Sequence, residues 1–200
     1  MKEELQHQNH SPKIVVISGP TGSGESTITQ KLVERHKNFI RLITATTRSK
    51  REGEVNGVDY YFFSKDRFLD EIQQGNILEY TYIENRDTYY GGYKPDLDQK
   101  IHQKRVILVN TDIVGTRFYR ERYNAITIFV DPGDLENLAN RLRKRDPEII
   151  DGEVDLRLEN ARQEILQEKP FYEYVVMNSD GKLEQAIAQV EAIITQRNYL

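Results

Sequence analysis

The chain has 200 residues, of which 30% are charged and 38% hydrophobic, and its formal net charge is −4. This length favours one domain, or one domain with inserted subdomains, and the composition is typical of a soluble globular protein. The negative charge argues against broad nucleic-acid binding, the sequence predicts no membrane span, and the lack of cysteine excludes disulfides and thiolate metal sites. We therefore expect a cytoplasmic protein whose partners are small anionic molecules.

The first elements in chain order are a polar tail and an alternating α/β pattern. Residues 1–12 lack the apolar core of a secretory signal, and we expect a flexible N-terminal tail. Apolar segments then alternate with helical patterns, which predicts a parallel sheet flanked by helices. The predicted strands are 13–18, 39–44, 106–110, 125–130 and 174–177. The predicted helices are 27–36, 65–74, 134–145, 154–168 and 182–197.

The pattern changes in the middle of the chain. Short strands at 58–63, 77–82 and 88–93 surround one helix, which indicates a small α+β subdomain; we call residues 45–93 the insert. A polar break at 146–152 separates two arginine-bearing helices and suits a mobile helical lid, residues 136–169. The remaining core is then 13–44, 94–135 and 170–200.

A glycine-rich segment, G-P-T-G-S-G-E-S-T, joins the first predicted strand to the first helix. It matches the phosphate-binding P-loop pattern G-x-x-x-x-G-K-[ST] except that Glu25 replaces the lysine. Such a loop turns backbone N–H groups toward phosphate oxygens, and the Ser26 hydroxyl is suited to Mg²⁺. The candidate phosphate-binding residues are Gly19, Thr21, Gly22, Ser23, Gly24, Ser26 and Thr27.

A second motif, T-T-R-S-K-R-E-G-E-V-N-G-V-D-Y, opens the insert. Arg48 and Arg51 follow two threonines and could grip a phosphate by bidentate, charge-assisted hydrogen bonds. Tyr60 could add a phenolic donor. Two arginines alone are more often a solvated basic turn, so the phosphate-binding interpretation depends on the rest of the chain.

Together, in this order, the two motifs strongly resemble those of the guanylate kinase family, from about residue 13 to the C-terminus. The resemblance includes Tyr89-Tyr90-Gly91 and the helix pair around Arg141 and Arg157. It implies a P-loop fold with a core, a nucleotide-monophosphate subdomain and a lid. It also implies transfer of the γ-phosphoryl group of ATP to GMP with Mg²⁺, by a monomer or homodimer.

The resemblance assigns the GMP contacts by position. A carboxylate at Glu79 can accept from the N1–H and N2 amino groups of guanine, which adenine lacks, and a site built on such bonds rejects other bases. An isolated glutamate is more often an exposed strand residue. The family motifs found around Glu79 favour the base-binding interpretation instead. The phosphate would be held by Arg48, Arg51, Tyr60 and Tyr90, with Glu54 as an orienting partner. The base side would comprise Thr44, Glu79, Gly92 and Asp112.

The lid arginines are the further catalytic candidates. Arg141, Arg145 and Arg157 match family arginines that close onto the ATP phosphates, where catalysis is mostly positioning and charge stabilisation. Together with Arg48 and Glu25 they complete the predicted catalytic set. The alternative for these arginines is a solvated basic helix, because Arg143 and Lys144 are also cationic.

Three positions depart from the family pattern. Glu25 replaces the P-loop lysine, Asn110 ends a strand where aspartate is usual, and Gly92 stands where serine commonly follows the Tyr-Gly pair. At an effective dielectric near 20, unit charges about 4 Å apart interact by roughly 4 kcal/mol. Loss of one transition-state contact of that size slows a reaction by roughly a thousandfold.

Two hypotheses follow from these departures. In the first, a carboxylate has moved from the strand end to the loop: Glu25 helps to hold Mg²⁺ or its waters, and Arg86 or a lid arginine supplies the missing cation. This hypothesis predicts that Glu25→Lys alone does not raise turnover. In the second, the chain is an impaired GMP-binding pseudokinase or a guanylate kinase-like protein-binding module. A different nucleoside monophosphate kinase is disfavoured by the specific motif at 44–60.

Overall fold

The computed structural model describes residues 11–199. In chain order the strands are β1 Ile14–Ser18, β2 Phe39–Arg41, β3 Ala45–Thr46, β4 Tyr61–Phe62, β5 Ile77–Ile83, β6 Thr88–Tyr93, β7 Val106–Asn110, β8 Ile126–Asp131 and β9 Tyr174–Met177. The helices are α1 Glu25–Arg35, α2 Lys65–Gln73, α3 Lys94–His102, α4 Ile113–Tyr123, α5 Leu135–Arg145, α6 Asp151–Gln163 and α7 Leu183–Gln196.

A parallel sheet with the order β2-β7-β1-β8-β9 forms the centre of the molecule. Its central strand β1 is buried along its whole length, as expected when helices cover both faces of a parallel sheet. Because successive side chains alternate in direction, Val15 and Ile17 pack with the α1 and α7 side, while Ile14 and Val16 pack with the α3 and α4 side. The predicted α/β fold class is confirmed.

The insert folds around its own small core. Its strands have the order β4-β3-β6-β5, with β3 antiparallel to β6 and parallel to β4. Phe63 and Phe68 pack there with Ala45 and Ile77. This second sheet stands beside the carboxyl ends of the core strands, because β3 follows β2 after only a short connection and β6 leads directly into α3.

The lid consists of α5 and α6, which pack through Leu138, Leu142 and Ala161. The structure corrects the predicted helix 154–168: α6 begins earlier, at Asp151, and ends at Gln163. A single π-helical turn, Glu164–Glu168, follows it. Such turns are rare and are often found at functional sites.

Two helices were not predicted. Helix α3 begins directly after β6 with Pro95 in its first turn, so no turn residues separate strand from helix in the sequence. Helix α4 buries Gly115, Thr116 and Tyr119, a face too weakly apolar to give a helical period.

The predicted strand 39–44 is also wrong in extent, because the chain leaves the core sheet after Arg41 and joins the insert at Ala45. The strand predicted at 58–63 is reduced to Tyr61–Phe62. The exact bounds drawn between core, insert and lid stay predictions.

None of the helices within residues 11–199 is long and apolar enough to cross a membrane. The tail predicted at 1–12 lies almost wholly outside the described residues.

Candidate active site

A cleft opens at the carboxyl ends of the core strands, where ligands bind in open α/β sheets. It comprises two adjoining cavities of about 480 and 460 Å³, a size that suits nucleotides. Thr21, Glu25 and Ser26 of the P-loop, together with Asn110 at the end of β7, line both cavities. The cleft therefore lies between the P-loop, the insert and the lid.

The P-loop is held in one shape by its glycines and by a hydrogen bond from Asn178, the residue after β9. Gly22 and Gly24 have φ angles of 97° and 101°, in the left-handed region that favours glycine. A Cβ on Gly19 would lie 2.5 Å from the carbonyl oxygen of Val130. Asn178 Nδ2 donates to the carbonyl oxygen of Ser23 at 2.6 Å. The first turn of α1, with its unpaired N–H groups, is thus fixed at the cleft.

Glu25 lies at the start of α1 and is partly exposed to the cleft. Burial among protein atoms raises its pKa to about 8, and the nearby Glu164 carboxyl adds to the rise; Arg145 and the Gly19 N–H partly offset it. The group is therefore mainly protonated at neutral pH. The repulsion of roughly 4 kcal/mol expected from the sequence assumed an ionised carboxylate, so that penalty is smaller in this site.

Asn110 has a bonding role that an aspartate could not fill. Its Nδ2 donates to the carbonyl oxygen of Ile17 and to Thr29 Oγ1, both at 3.0 Å. These bonds join β7 to β1 and α1 beneath the P-loop. A carboxylate here has no N–H to donate to the Ile17 carbonyl oxygen. The asparagine therefore helps to hold the strand and helix that carry the P-loop.

Four predicted arginines converge on the second cavity: Arg48, Arg51, Arg145 and Arg157. Glu153 Oε1 accepts from Arg157 Nε at 3.0 Å and from Arg86 Nη2 at 2.6 Å, so it binds a lid arginine and an insert arginine together.

Arg145 makes no hydrogen bond or ion pair with any residue in the range 11–199. Burial lowers its pKa, and so do the neighbouring cations Arg157 and Arg51. A guanidinium that borders the cleft among like charges, with no partner of its own, is well placed to receive an anion.

The phosphate side of the insert is organised by Glu54. Its two oxygens accept from Arg48 Nη1 at 3.0 Å and from Nη2 at 2.7 Å. Oε2 also accepts from the Arg51 N–H at 2.7 Å, and these bonds lower the pKa of Glu54, with the Arg48 bond as the largest cause. The Tyr60 and Tyr90 rings meet edge to face at 6.1 Å, and Arg48 lies over the Tyr60 ring. The structure thus brings these predicted residues to one wall.

The residues predicted to face the base lie at the first cavity, whose lining includes Thr44, Glu79, Tyr90 and Asp112. Burial raises the pKa of Glu79 to about 8; the Asp112 charge adds to this, and the Gly92 N–H partly offsets it. Asp112 also caps α4, accepting from the N–H groups of Val114 and Gly115 at 3.0 and 3.2 Å.

Five predicted site residues border neither cavity: Ser23, Gly24, Thr27, Gly92 and Arg141. Arg141 binds Asp180 Oδ1 at 2.8 Å and the Asn178 carbonyl oxygen at 2.7 Å, so it supports the outer side of the P-loop. Thr27 is exposed and borders neither cavity. Gly92 lies behind Glu79.

Sequence reasoning missed Glu164, Glu168 and Tyr119. The first two line the cleft from the π-helical turn, and burial raises the pKa of Glu164 to about 7. Glu164 follows Arg157 by two helical turns and so shares its face, a spacing that could have revealed it. Nothing in the sequence places Tyr119 near the base pocket, because only the packing of α4 against β5 brings it there.

The residues fit a magnesium ion that arrives with its nucleotide. No group of three or more acidic or histidine side chains within residues 11–199 is arranged to hold a metal. Ser26 offers one hydroxyl beside the phosphate-binding turn, and Mg²⁺ commonly completes its shell with phosphates and water.

The arrangement of the cleft defines the class of the protein. A P-loop on one wall faces a second anion pocket across a cleft small enough to bring two phosphates together, and a helical lid adds cations. Direct transfer between two nucleotides needs this arrangement. The fold and the cleft are those of a nucleoside monophosphate kinase.

Comparisons with known proteins specify the family. Residues 11–197 match the family model described as guanylate kinase, and the chain belongs to that family. It is 40% identical over 189 residues to guanylate kinase 2, chloroplastic/mitochondrial, of Oryza sativa, although it spans only 64% of that protein's length. It is 34% identical to a Synechococcus guanylate kinase, covering 91% of this chain and 82% of the relative.

A solved structure supports the same assignment. The crystal structure of guanylate kinase from Anaplasma phagocytophilum superposes with a TM-score of 0.72 at 26% identity. The match covers 92% of this chain and 85% of that one.

Proposed function

We propose that the protein transfers the γ-phosphoryl group of ATP to GMP, forming ADP and GDP. The observation that carries this proposal is the joint placement of Glu79 and the Arg48–Glu54 pair on one side of the cleft, opposite the P-loop. The GMP phosphate is itself an anionic nucleophile at neutral pH. The chain therefore needs positioning and charge stabilisation rather than a general base.

GMP is bound at both ends. Arg48 and Arg51 hold its phosphate, with Tyr60 and Tyr90 as phenolic donors, and Glu54 keeps the Arg48 guanidinium oriented before the ligand arrives. At the other end, ionised Glu79 accepts from guanine N1–H and N2–H.

On the ATP side, Arg145 supplies the positive charge that a P-loop lysine would otherwise bring to the phosphates. Like that of Arg51, its side chain has no hydrogen bond or ion pair within the described residues, and it lies close enough to Glu25 to affect the pKa of that carboxyl. Protonated Glu25 donates to a phosphate oxygen instead of repelling it. The Ser26 hydroxyl would help to hold a Mg²⁺ ion bound with ATP, and such an ion would supply neutralisation of phosphate charge.

A second candidate is a GMP-binding protein with impaired catalysis, and the carboxyl group at Glu25 is the observation that favours it. Coupled assays of ADP release with ATP, Mg²⁺ and each of GMP, dGMP, AMP and UMP separate the two functions, with calorimetric titration of GMP alongside. ADP release with the guanine nucleotides supports the kinase. Tight GMP binding without ADP release supports the second candidate, and no response to GMP contradicts both.

Binding of GMP is expected to release a proton. Glu79, with a pKa of about 8, is mainly protonated in the empty site at pH 7, whereas guanine requires the carboxylate. GMP affinity should therefore rise as the pH increases toward 8 and level off above it. Calorimetry in buffers of different ionisation enthalpy measures the release, expected to approach one proton per GMP at pH 7.

Glu79→Gln is the control for this measurement, because it keeps the side-chain size and removes the titrating group. Its GMP binding should release less than half as many protons as the native chain. Equal release by both proteins would assign the proton to another group, such as Glu25 or Glu164.

Ionisation of Glu25 is expected to impair ATP use at high pH. Its pKa is raised to about 8, so the neutral form predominates below pH 8 and the anion above it. Since the anion repels the ATP phosphates, kcat/KM for ATP should fall above pH 8, by up to about tenfold per pH unit. A pH profile with saturating GMP measures this limb.

Glu25→Gln should remove the descending limb while keeping activity at pH 7 within a few-fold. Glu25→Lys should not raise turnover, because the lysine would add a cation beside Arg145. A large gain from lysine, or an unchanged limb in the glutamine variant, contradicts this role for Glu25.

A further inference from the structure

Two buried polar atoms beside the base pocket have no hydrogen-bond partner within the described chain. They are Tyr119 Oη and Glu79 Oε1. Tyr119 is fully buried at 0% exposure, and a buried donor without an acceptor is costly. One atom is a donor and the other an acceptor, and both border the same position beside Gly92. Each could therefore satisfy the hydrogen-bonding need of the other.

Gly92 makes room for both atoms. A Cβ on Gly92 would lie 2.5 Å from Tyr119 Oη and 3.0 Å from Glu79 Oε1. A Cβ on Gly115 would also crowd Glu79 Oε1, at 2.9 Å. Position 92 therefore requires glycine because a larger residue would not fit. A serine side chain there would enter the volume beside the Tyr119 hydroxyl.

The Tyr119 hydroxyl is held in place from the helix side. Its ring stacks on Tyr123 with centroids 6.1 Å apart and meets Phe118 edge to face at 5.2 Å. Burial, followed by the Glu79 charge, raises the pKa of Tyr119 well above its ordinary value. The phenol thus keeps its proton and can donate it to a carboxylate.

We infer that Tyr119 is a positioning residue for guanine recognition: when Glu79 ionises on GMP binding, a small side-chain shift into the space left by Gly92 lets the Tyr119 hydroxyl donate to Glu79 Oε1. Glu79 is thereby oriented with its other oxygen toward the base. This inference rests on the proposed GMP function. In this chain the hydroxyl comes from Tyr119 of α4 and lies beside Gly92 of β6, the position at which the family commonly has serine.

Tyr119→Phe tests the inference, because it removes one oxygen and keeps the ring. We expect the Kd for GMP to rise roughly tenfold, the value of one hydrogen bond to a charged group. The Kd for inosine monophosphate, which lacks the 2-amino group, should change less, so the ratio of the two affinities falls. Calorimetry measures both values. Tyr123→Phe on the same helix is the matched control and should change neither.

A reciprocal pair of variants separates positioning from packing. Gly92→Ser alone should weaken GMP binding, because its Cβ collides with Tyr119 Oη. In the double variant Gly92→Ser/Tyr119→Phe the collision is removed. The serine hydroxyl on β6 then replaces the lost tyrosine hydroxyl as a donor to Glu79. We expect it to recover at least half of the lost affinity, on a logarithmic scale.

The outcomes are distinct. Equal loss of affinity for GMP and inosine monophosphate in Tyr119→Phe, or no loss at all, overturns the positioning role, as does a double variant no better than its parents. Thermal unfolding of each variant identifies any that fail to fold. If the native chain does not bind GMP, the proposed function fails. If the native chain binds GMP and Tyr119→Phe binds it with the same Kd, only this inference fails.

Discussion

Arg145→Met is expected to bind GMP normally and to lose roughly 10³-fold or more in kcat, the effect of removing an arginine that stabilises charge in phosphoryl transfer. The reason lies in the surroundings of this residue. Arg157 is held by Glu153 and Arg48 by Glu54, whereas Arg145 has no anionic partner in residues 11–199. Arg51 is also without a side-chain partner there, but Arg145 is the cation near Glu25, at the position that the P-loop lysine leaves empty, and we expect it to meet the transferred phosphoryl group.

Coupled ADP release measures kcat for this variant, and calorimetry measures its GMP affinity. Arg143→Met is the matched control, because Arg143 is on the same helix but pairs with Asp151 Oδ1 at 3.0 Å and is exposed. The control should retain kcat within about twofold, as expected for an exposed ion pair. A loss below tenfold in Arg145→Met would mean that another group replaces the lysine, and Arg86 would be the next candidate.

Glu79→Gln is expected to lower kcat/KM for GMP by roughly 10²- to 10³-fold, because an amide cannot accept from both guanine donors and leaves a mismatched N–H in the pocket. Activity with AMP should stay near its low native level. The preference for GMP over AMP should therefore collapse by nearly the same factor.

Competition assays with both nucleotides measure that preference directly. Glu71→Gln is a suitable control, since Glu71 is another buried insert carboxyl but binds Asn76 and lies outside the cleft. If Glu79→Gln reduced GMP and AMP use equally, Glu79 would support the insert fold rather than read the base.

The presence of the P-loop and of the arginine motif in the cleft could be predicted from the sequence because their signals are local; their binding of anions stays a prediction. The P-loop follows a strand directly, and Arg48, Arg51 and Glu54 are within one short motif. Helix α4 could not be predicted, since its buried face consists mainly of small or polar residues. The relation of Tyr119 to Glu79 depends on packing between distant segments, which no sequence period records.

The protonation of the site was also beyond sequence reasoning. The departure at Glu25 predicts a negative charge among phosphates, but burial and the Glu164 carboxyl shift its pKa. Nor did the sequence indicate the partners of Arg141, which binds Asp180 and the Asn178 carbonyl oxygen beside the P-loop; its catalytic role stays a prediction. Cytoplasmic residence and oligomeric state stay predictions.

The asparagine beneath the P-loop has a consequence for how this chain could change over evolutionary time. Because the Asn110 amide nitrogen donates to the Ile17 carbonyl oxygen, an aspartate here would set a carboxylate against that oxygen, although it could accept from the Thr29 hydroxyl, and would add a second carboxyl to the cavities that Glu25 lines. A lysine at position 25 alone would lie against Arg145. Neither single substitution toward the usual family residue is therefore expected to be favourable, and the two departures are expected to persist together.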